Sequence, residues 1–258
     1  MSGFAKHGVR SLSASQINTY ISDPAYWVMQ KLMGVRSEAN AAMIRGIASE
    51  SGIVHGLFNP DAPLADCVDL ALREFDEKLA LSNDPKYDKE RAGIPGLIEY
   101  ALLELRQYGV PSSAQDRIEI VLEDIPIPFI GFTDLIYDEH GLIIDIKTTL
   151  RMPSEISEYH ARQGAIYANA KSNYAMRFAY VKPKPSKGDT RACNVYEMST
   201  DDCQTYLTQV REVALRMDRF LSISDVREEL AALLGPDFSG FQWSNPNVRE
   251  QGRMLYGF

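Results

Sequence analysis

The chain has few cysteines and no long apolar segment. Its three cysteines, Cys67, Cys193 and Cys203, are far apart and form no C-x-x-C pair. This spacing argues against a disulfide framework or a structural zinc site, so we expect reduced thiols. No apolar run approaches the roughly 20 residues of a membrane span, and the first residues, MSGFAKHGVR, lack the apolar core of a signal peptide. We therefore expect a cytoplasmic protein without membrane contact.

Excess basic charge is also absent, because the 258 residues carry a net charge of -8. The charge is unevenly distributed, however. Residues 116–145 hold eight acids and one base, whereas residues 171–191 hold six bases and one acid. An acidic centre beside a basic segment suits a metal site that handles a polyanion, although ordinary solvated charge explains the basic segment equally well.

Helix caps and hydrophobic periodicity predict the order of the elements. Ser13 and Gln16 have capping-box spacing, so a helix should begin there and end near Asp23-Pro24, which starts a second short helix. Ser154 should cap another helix that runs to about Lys171. Further helices are expected at about 40–58, 66–81, 95–108, 201–221 and 225–234. Strands are expected at about 117–123, 127–137, 142–149, 175–182 and 191–198.

This succession of helices, strands, one helix, two strands and helices predicts the fold class. We expect an α/β or α+β fold with a central mixed β-sheet flanked by helices. One domain should cover residues 1–258, with a helical part at about 11–110, a sheet core at about 115–200 and a helical part at about 201–258. The tail from Gly235 shows no periodicity, and its Trp243, Tyr256 and Phe258 could pack on the core or bind a partner.

Asp134, Asp145 and Lys147 are the most informative residues. They lie in the segments GFTDLIY (131–137) and LIIDIKT (142–148), whose β-branched and aromatic residues favour strands. Two carboxylates and a lysine on one side of an otherwise apolar hairpin are costly to bury without a partner. A divalent metal ion is such a partner.

The turn between these two strands can be short or long. If His140-Gly141 forms the loop, Asp134 lies across from Lys147. If the loop covers residues 138–141, Asp134 pairs with Asp145 instead. Both registers keep the three side chains on one face.

The helix expected at 40–58 contains a carboxylate at a core-facing position. Met43, Ile47 and Val54 recur at helical spacing, and Glu50 falls in the same stripe. One interpretation is a salt bridge to an arginine or lysine at the helix edge. The other is a third oxygen ligand for the metal held by Asp134 and Asp145.

Gln163 and Tyr167 lie one turn apart on the helix that follows the hairpin. They are either a surface amide and a core aromatic, or a pair that positions a nucleotide. By itself this pair does not decide between the two.

Taken together, these segments resemble the PD-(D/E)XK nuclease superfamily. Asp134 followed by Asp145–Lys147 resembles the superfamily signature. Three further segments resemble the RecB-type exonuclease branch: Arg45–Glu50 its first motif, Gln163–Tyr167 its QxxxY motif, and Leu12–Tyr20 its N-terminal helix. The resemblance implies a restriction-endonuclease-like core and a single nuclease domain.

The resemblance also implies residue roles around Mg²⁺ or Mn²⁺. The expected metal ligands are Glu50, Asp134, Asp145 and the backbone carbonyl of Ile146. Lys147 would orient or deprotonate the attacking water, or stabilise the phosphate, and burial beside a cation should lower its pKa. The residues expected to contact nucleic acid are Gln163, Tyr167, Thr148, Arg45 and Ser13.

Some relatives carry an iron–sulfur cluster on four cysteines, which three scattered cysteines cannot supply. The expectation is therefore a cluster-free exonuclease like those of phages and mitochondria, acting in the host cytoplasm if phage-encoded. Its partners would be a DNA end and a recombination or replication protein, with oligomers allowed, in DNA recombination, repair or replication. The alternatives are a structure-specific endonuclease with the same site and a non-catalytic nucleic-acid-binding module.

Overall fold

A mixed β-sheet forms the centre of the protein, which we describe from a computed structural model covering residues 1–36 and 39–257. Within these residues the sheet has five strands in the order β1-β2-β3-β4-β5. They are β1 (Ser113–Ile120), β2 (Phe129–Tyr137), β3 (Leu142–Thr148), β4 (Ala175–Val181) and β5 (Cys193–Glu197). Neighbours are antiparallel except β3 and β4, which are parallel. Parallel neighbours need a crossover connection, and α7 (Glu158–Ala170) supplies it.

Helices cover both faces of the sheet. The helices besides α7 are α1 (Gly3–Lys6), α2 (Ala14–Ser22), α3 (Pro24–Lys31), α4 (Ala41–Phe58), α5 (Leu64–Lys78), α6 (Tyr87–Leu105), α8 (Thr200–Ser222), α9 (Arg227–Ala232) and α10 (Pro246–Tyr256). One core packs α2, α3, α7 and α8 against side chains such as Phe178. The other packs α4, α5 and α6 against side chains such as Ile144. The predicted fold class is therefore confirmed: a mixed sheet between helical layers, consistent with a restriction-endonuclease-like core.

Local caps set several helix starts as the sequence predicts. The Oγ of Ser13 accepts from the Gln16 amide, and Asp23 caps α3 with Pro24 at its first position. The prediction for Ser154 is wrong, since α7 begins three residues later with Ser157 as its cap. The first strand also lies earlier than expected, at 113–120 rather than 117–123.

Helix α6 begins at Tyr87, not near residue 95, and it contains Pro95. The polar residues that suggest a loop in the sequence have partners on neighbouring helices. Tyr87 and Arg91 both bond the carboxylate of Asp76 on α5, and Glu90 pairs with Arg45 on α4. These contacts fix the first turns of α6 ahead of the proline.

The buried stripe of α4 differs from the predicted one. Met43 is 57% exposed, whereas Ile44, Ala48 and Ile53 are buried. The stripe is shifted because α4 turns its small residues toward α5 and α6, and the sequence pattern weights the large ones. Glu50 consequently lies at the edge of the buried face and is half-buried.

The C-terminal tail is helical and packed. Asn245 caps α10, and the buried Trp243 donates its indole N–H to Asp23 at 2.6 Å. The Tyr256 hydroxyl donates to the Ala25 carbonyl at 2.6 Å. For Trp243 and Tyr256 the packing alternative is confirmed, and Phe258 lies outside the described residues.

Two further expectations from the sequence concern the cysteine thiols and membrane contact. Cys67 and Cys193 are buried and Cys203 is half-buried, each with a free thiol. None of the described helices is both long and apolar enough to cross a bilayer. The single-domain organisation stays a prediction.

Candidate active site

The β2–β3 hairpin brings the two aspartates together. Its paired residues are Leu135 with Ile144 and Tyr137 with Leu142, so the connection has four residues, 138–141. Gly141 closes this turn with a φ of 54°, a conformation that favours glycine. Of the two predicted registers, this is the one that sets Asp134 beside Asp145.

Asp134 on β2 and Asp145 on β3 are both buried, and each contacts a neighbouring residue of β3. The Ile146 amide donates to Oδ2 of Asp134 at 2.7 Å. Oδ2 of Asp145 forms an ion pair with Nζ of Lys147 at 2.6 Å. A fully buried carboxylate needs such a cation beside it.

Helix α7 supplies the polar network over the hairpin. Gln163 accepts from Nζ of Lys147 at 2.9 Å and donates to Oδ1 of Asp145 at 2.9 Å. The same amide nitrogen lies 2.9 Å from the Tyr167 hydroxyl. Gly131 on β2 leaves room for the Tyr167 ring, because an added Cβ there would lie 2.6 Å from it. Gln163 and Tyr167 therefore lie at the predicted cluster, where Gln163 links Lys147 to Asp145.

Glu50 reaches the cluster from α4. Its charge interacts with those of Asp145 and Lys147, which places it within their electrostatic field. No described residue forms a salt bridge with Glu50, so the salt-bridge interpretation is wrong. Its hydrogen-bond partner is instead the neutral amide of Gln115 on β1.

Burial raises the pKa of all three carboxyl groups, and repulsion between carboxylates adds to this effect at Glu50 and Asp134. Burial, then the charge of Asp145, raises the pKa of Glu50 to about 7. Burial followed by Asp145 and Glu50 holds the pKa of Asp134 well above its usual range. Burial also raises the pKa of Asp145, against the opposing effect of Lys147. Three carboxylates with one ammonium carry an excess of negative charge.

The pKa of Lys147 shifts in the direction opposite to the predicted one. Burial lowers its pKa, but Asp145 and Asp134 outweigh burial and raise the pKa above its ordinary value. The predicted lowering assumed a cation close by, whereas here carboxylates surround the ammonium. Nearby, burial and the charge of Lys147 lower the pKa of His160 to about 4, and its ring lies 2.7 Å from the Tyr180 hydroxyl.

Comparison with known proteins identifies the family. A model of the PD-(D/E)XK nuclease superfamily matches residues 11–230. The chain belongs to this superfamily. Among solved structures, the one titled "Crystal structure of SSO0001" matches with 15% identity and a TM-score of 0.33, covering 80% of this chain and 83% of that chain. The search of curated proteins returned no match.

PD-(D/E)XK nucleases act on nucleic acids and generally use divalent metals. Among the described residues, no three histidine, cysteine or carboxylate side chains lie in an arrangement that could hold a metal ion. The donor chemistry nevertheless fits such an ion. Glu50, Asp134 and Asp145 are hard oxygen donors whose charges interact, and Lys147 pairs with Asp145 alone. The Ile146 carbonyl as a further ligand stays a prediction.

The other residues expected to contact nucleic acid have structural partners. Arg45 is buried, forms an ion pair with Glu90 and lies 3.4 Å from the Thr148 hydroxyl. The hydroxyl of Ser13 caps α2 and bonds that of Ser15. Nucleic-acid contacts by Arg45, Thr148 and Ser13 stay predictions.

Two site residues escape prediction from the sequence. Glu90 belongs to a polar stretch that resembles a loop, so only the burial of its partner Arg45 could have pointed to it. Gln115 lies in a strand of mixed polarity and carries no local signal. Both matter through contacts between elements far apart along the chain.

Proposed function

We propose that the protein is a Mg²⁺- or Mn²⁺-dependent DNA exonuclease with its active site at Glu50, Asp134, Asp145 and Lys147. The observation that carries the proposal is the excess of carboxylates around Lys147. Three acids interact around this single lysine, whose ammonium pairs with Asp145 and leaves Glu50 and Asp134 without a cation of their own among the described residues. A divalent cation relieves this repulsion, and a nuclease uses one for its chemistry.

Glu50, Asp134 and Asp145 would hold the cation, together with the Ile146 carbonyl. When bound, the cation supplies positive charge to the scissile phosphate and makes water more acidic. The rest of the chemistry falls to the side chains around it. Ile146 holds Asp134 through its amide, and Gln163 holds Asp145 and Lys147 at 2.9 Å each. Such contacts fix ligands before the substrate arrives.

Lys147 would act as a hydrogen-bond donor rather than as a free base. With Asp145 2.6 Å away, the ammonium form is favoured. An ammonium can orient the attacking water or stabilise charge on the phosphate. A base role would require the bound cation to offset the neighbouring carboxylates.

The basic loop, residues 183–191 between β4 and β5, supports a polyanionic substrate. Its Lys184, Lys187 and Arg191 are exposed and form no ion pair with any described residue. The loop leaves β4 directly after Val181, which pairs with Thr148, the neighbour of Lys147. Exposed cations beside a nuclease site are suited to the phosphate backbone.

The test is cleavage of end-labelled linear DNA with and without Mg²⁺. Asp145→Ala removes a proposed ligand of the cation, and Lys147→Ala removes a proposed donor to the phosphate or the attacking water. Each should lower the rate by about 10²- to 10³-fold. Glu228→Ala on α9 is the matched control, because Glu228 is an exposed carboxylate on another helix. Near-wild-type cleavage by either site variant would refute the site.

Two alternatives are separated by simple substrates and probes. Steady loss of covalently closed circular DNA would favour the structure-specific endonuclease over the exonuclease. Calorimetry with Mn²⁺ addresses the non-catalytic module, for which a folded sample should bind no metal.

A role in recombination, repair or replication, with a protein of those pathways as partner, belongs to the same proposal. The RecB-type branch, a cluster-free member, action in the cytoplasm and a single domain are proposed with it. An oligomer would help an exonuclease remain on its strand.

A further inference from the structure

Gln115 occupies an unusual backbone position at the edge of the sheet. Its φ is 56°, and among described residues other than glycine only Asp124 shares a positive φ. The strand pairing continues on both sides of it, from Ala114–Leu135 to Asp116–Thr133, so Gln115 stands opposite Asp134. A side chain at this φ is strained, and such strain persists where surrounding structure requires it.

The strained residue directs its side chain across the site. The amide nitrogen of Gln115 donates to Oε1 of Glu50, which otherwise has no hydrogen-bond or salt-bridge partner among the described residues. The contact joins β1 to α4, elements 65 residues apart in sequence at these positions. Glu50 is thus oriented by one amide on the far strand.

The neutrality of this donor matters for a metal ligand. A lysine or arginine in its place would compensate the charge of Glu50 and compete with a cation. An amide orients the carboxylate through one N–H and leaves its negative charge available. The pairing opposite Asp134 brings this support to the same part of the sheet as the second carboxylate.

We infer that Gln115 is a positioning residue that fixes Glu50 as a ligand for a divalent cation, with the left-handed backbone at Gln115 serving to aim its amide. The inference rests on the proposed metal-dependent function. It assigns Gln115 no contact with the reacting atoms. It predicts that the strained residue acts on metal binding more than on folding.

Gln115→Gly separates these two effects. Glycine adopts the positive φ without strain but cannot reach Glu50, so the thermal midpoint in EDTA should not fall. The dissociation constant for Mn²⁺, measured by calorimetry without nucleic acid, should rise about 10- to 100-fold. Asp124→Gly is the matched control: it relieves the other positive φ and should leave Mn²⁺ affinity unchanged.

A double-mutant cycle tests whether Gln115 acts through Glu50. In a Glu50→Gln background, Gln115→Gly should cause no further loss of Mn²⁺ affinity. Unchanged affinity in the single variant, an equal loss in both backgrounds, or a lowered thermal midpoint that accounts for the loss would overturn the inference. In each of these cases the wild type still binds Mn²⁺ and the proposed nuclease survives. Absence of Mn²⁺ binding by the wild type would overturn both.

Discussion

Two buried clusters of charge lie next to each other and differ in balance. Between α4 and α6, Arg45 and Glu90 form an ion pair whose side chains are 7% and 4% exposed. On the hairpin, Lys147 faces Asp145, Asp134 and Glu50. The first cluster pairs one cation with one anion, whereas the second has two more negative charges than positive ones at full ionisation. Balance is typical of a structural pair, and the excess is typical of a site that takes up a cation.

The largest effect is expected when the balanced Arg45–Glu90 ion pair is broken. Arg45→Met keeps most of the apolar stem but leaves Glu90 buried without its cation. We expect a loss of about 3–5 kcal/mol in the free energy of unfolding, measured with urea. Arg45→Met with Glu90→Gln should recover part of this loss, since the uncompensated charge is gone. A loss below about 1 kcal/mol in the single variant would contradict a structural role.

The unbalanced cluster should respond to pH in the opposite sense from an ordinary carboxylate. The pKa of Glu50 is about 7 in the folded state against an ordinary 4.5, so the folded protein holds this proton more tightly. Metal-free stability is then fully present below about pH 4.5, falls as the pH rises toward 7 and levels off above. The slope approaches ~1.4 kcal/mol per pH unit for one group in this window.

Urea unfolding in EDTA at several pH values between 5 and 8 measures this slope. Glu50→Gln, which cannot ionise, should flatten it and should be more stable than the wild type at pH 8. Mn²⁺ should raise the thermal midpoint more at pH 8 than at pH 5, because protons compete for the same carboxylates. A wild-type stability that rises from pH 5 to 7 would show that the folded protein does not hold the Glu50 proton more tightly than the unfolded chain does.

The basic loop offers a smaller test, since it lies outside both clusters. Lys184→Ala with Lys187→Ala should weaken binding of short DNA by roughly 10-fold at moderate salt and reduce the slope of log affinity against log salt by about 1–2. Arg219→Ala with Arg253→Ala removes the same charge from exposed positions on α8 and α10. Equal losses of DNA affinity in the two double variants would show that the loop contributes only through the net charge of the protein.

Much of the hairpin follows from the sequence, because its signals are local. Segments rich in β-branched and aromatic residues define β2 and β3, and the two turn lengths considered give two registers. The sequence does not choose between these registers, since both keep Asp134 and Asp145 on one face. The packing of the sheet decides the choice. The N-cap of α2 at Ser13 and the start of α3 at Pro24 likewise follow from local sequence signals.

Contacts between distant elements are what the sequence does not reveal. The predicted stripe of α4 differs from the observed one because Gly52 and Gly56 face α5 and α6, while Met43 is exposed. Glu90 and Gln115 acquire their roles only when α6 and β1 meet α4. The metal-ligand hypothesis for Glu50 depended on that same packing. The family resemblance, rather than periodicity, singled out Glu50, and its role as a metal ligand stays a prediction.

Thr148 lies between the two clusters, and its substitution should have the smallest effect on stability. Its hydroxyl lies 3.4 Å from the Arg45 guanidinium, and its backbone follows Lys147 directly. Thr148→Val keeps the shape and removes the hydroxyl. A bond this long should contribute little, so we expect less than about 1 kcal/mol of lost stability by urea unfolding. If Thr148 contacts nucleic acid as the sequence predicts, DNA affinity measured with Ca²⁺ should fall several-fold while Mn²⁺ affinity stays unchanged. Unchanged DNA affinity would assign the hydroxyl to Arg45 alone. The boundary between the structural pair and the proposed active site would then run between Lys147 and Thr148.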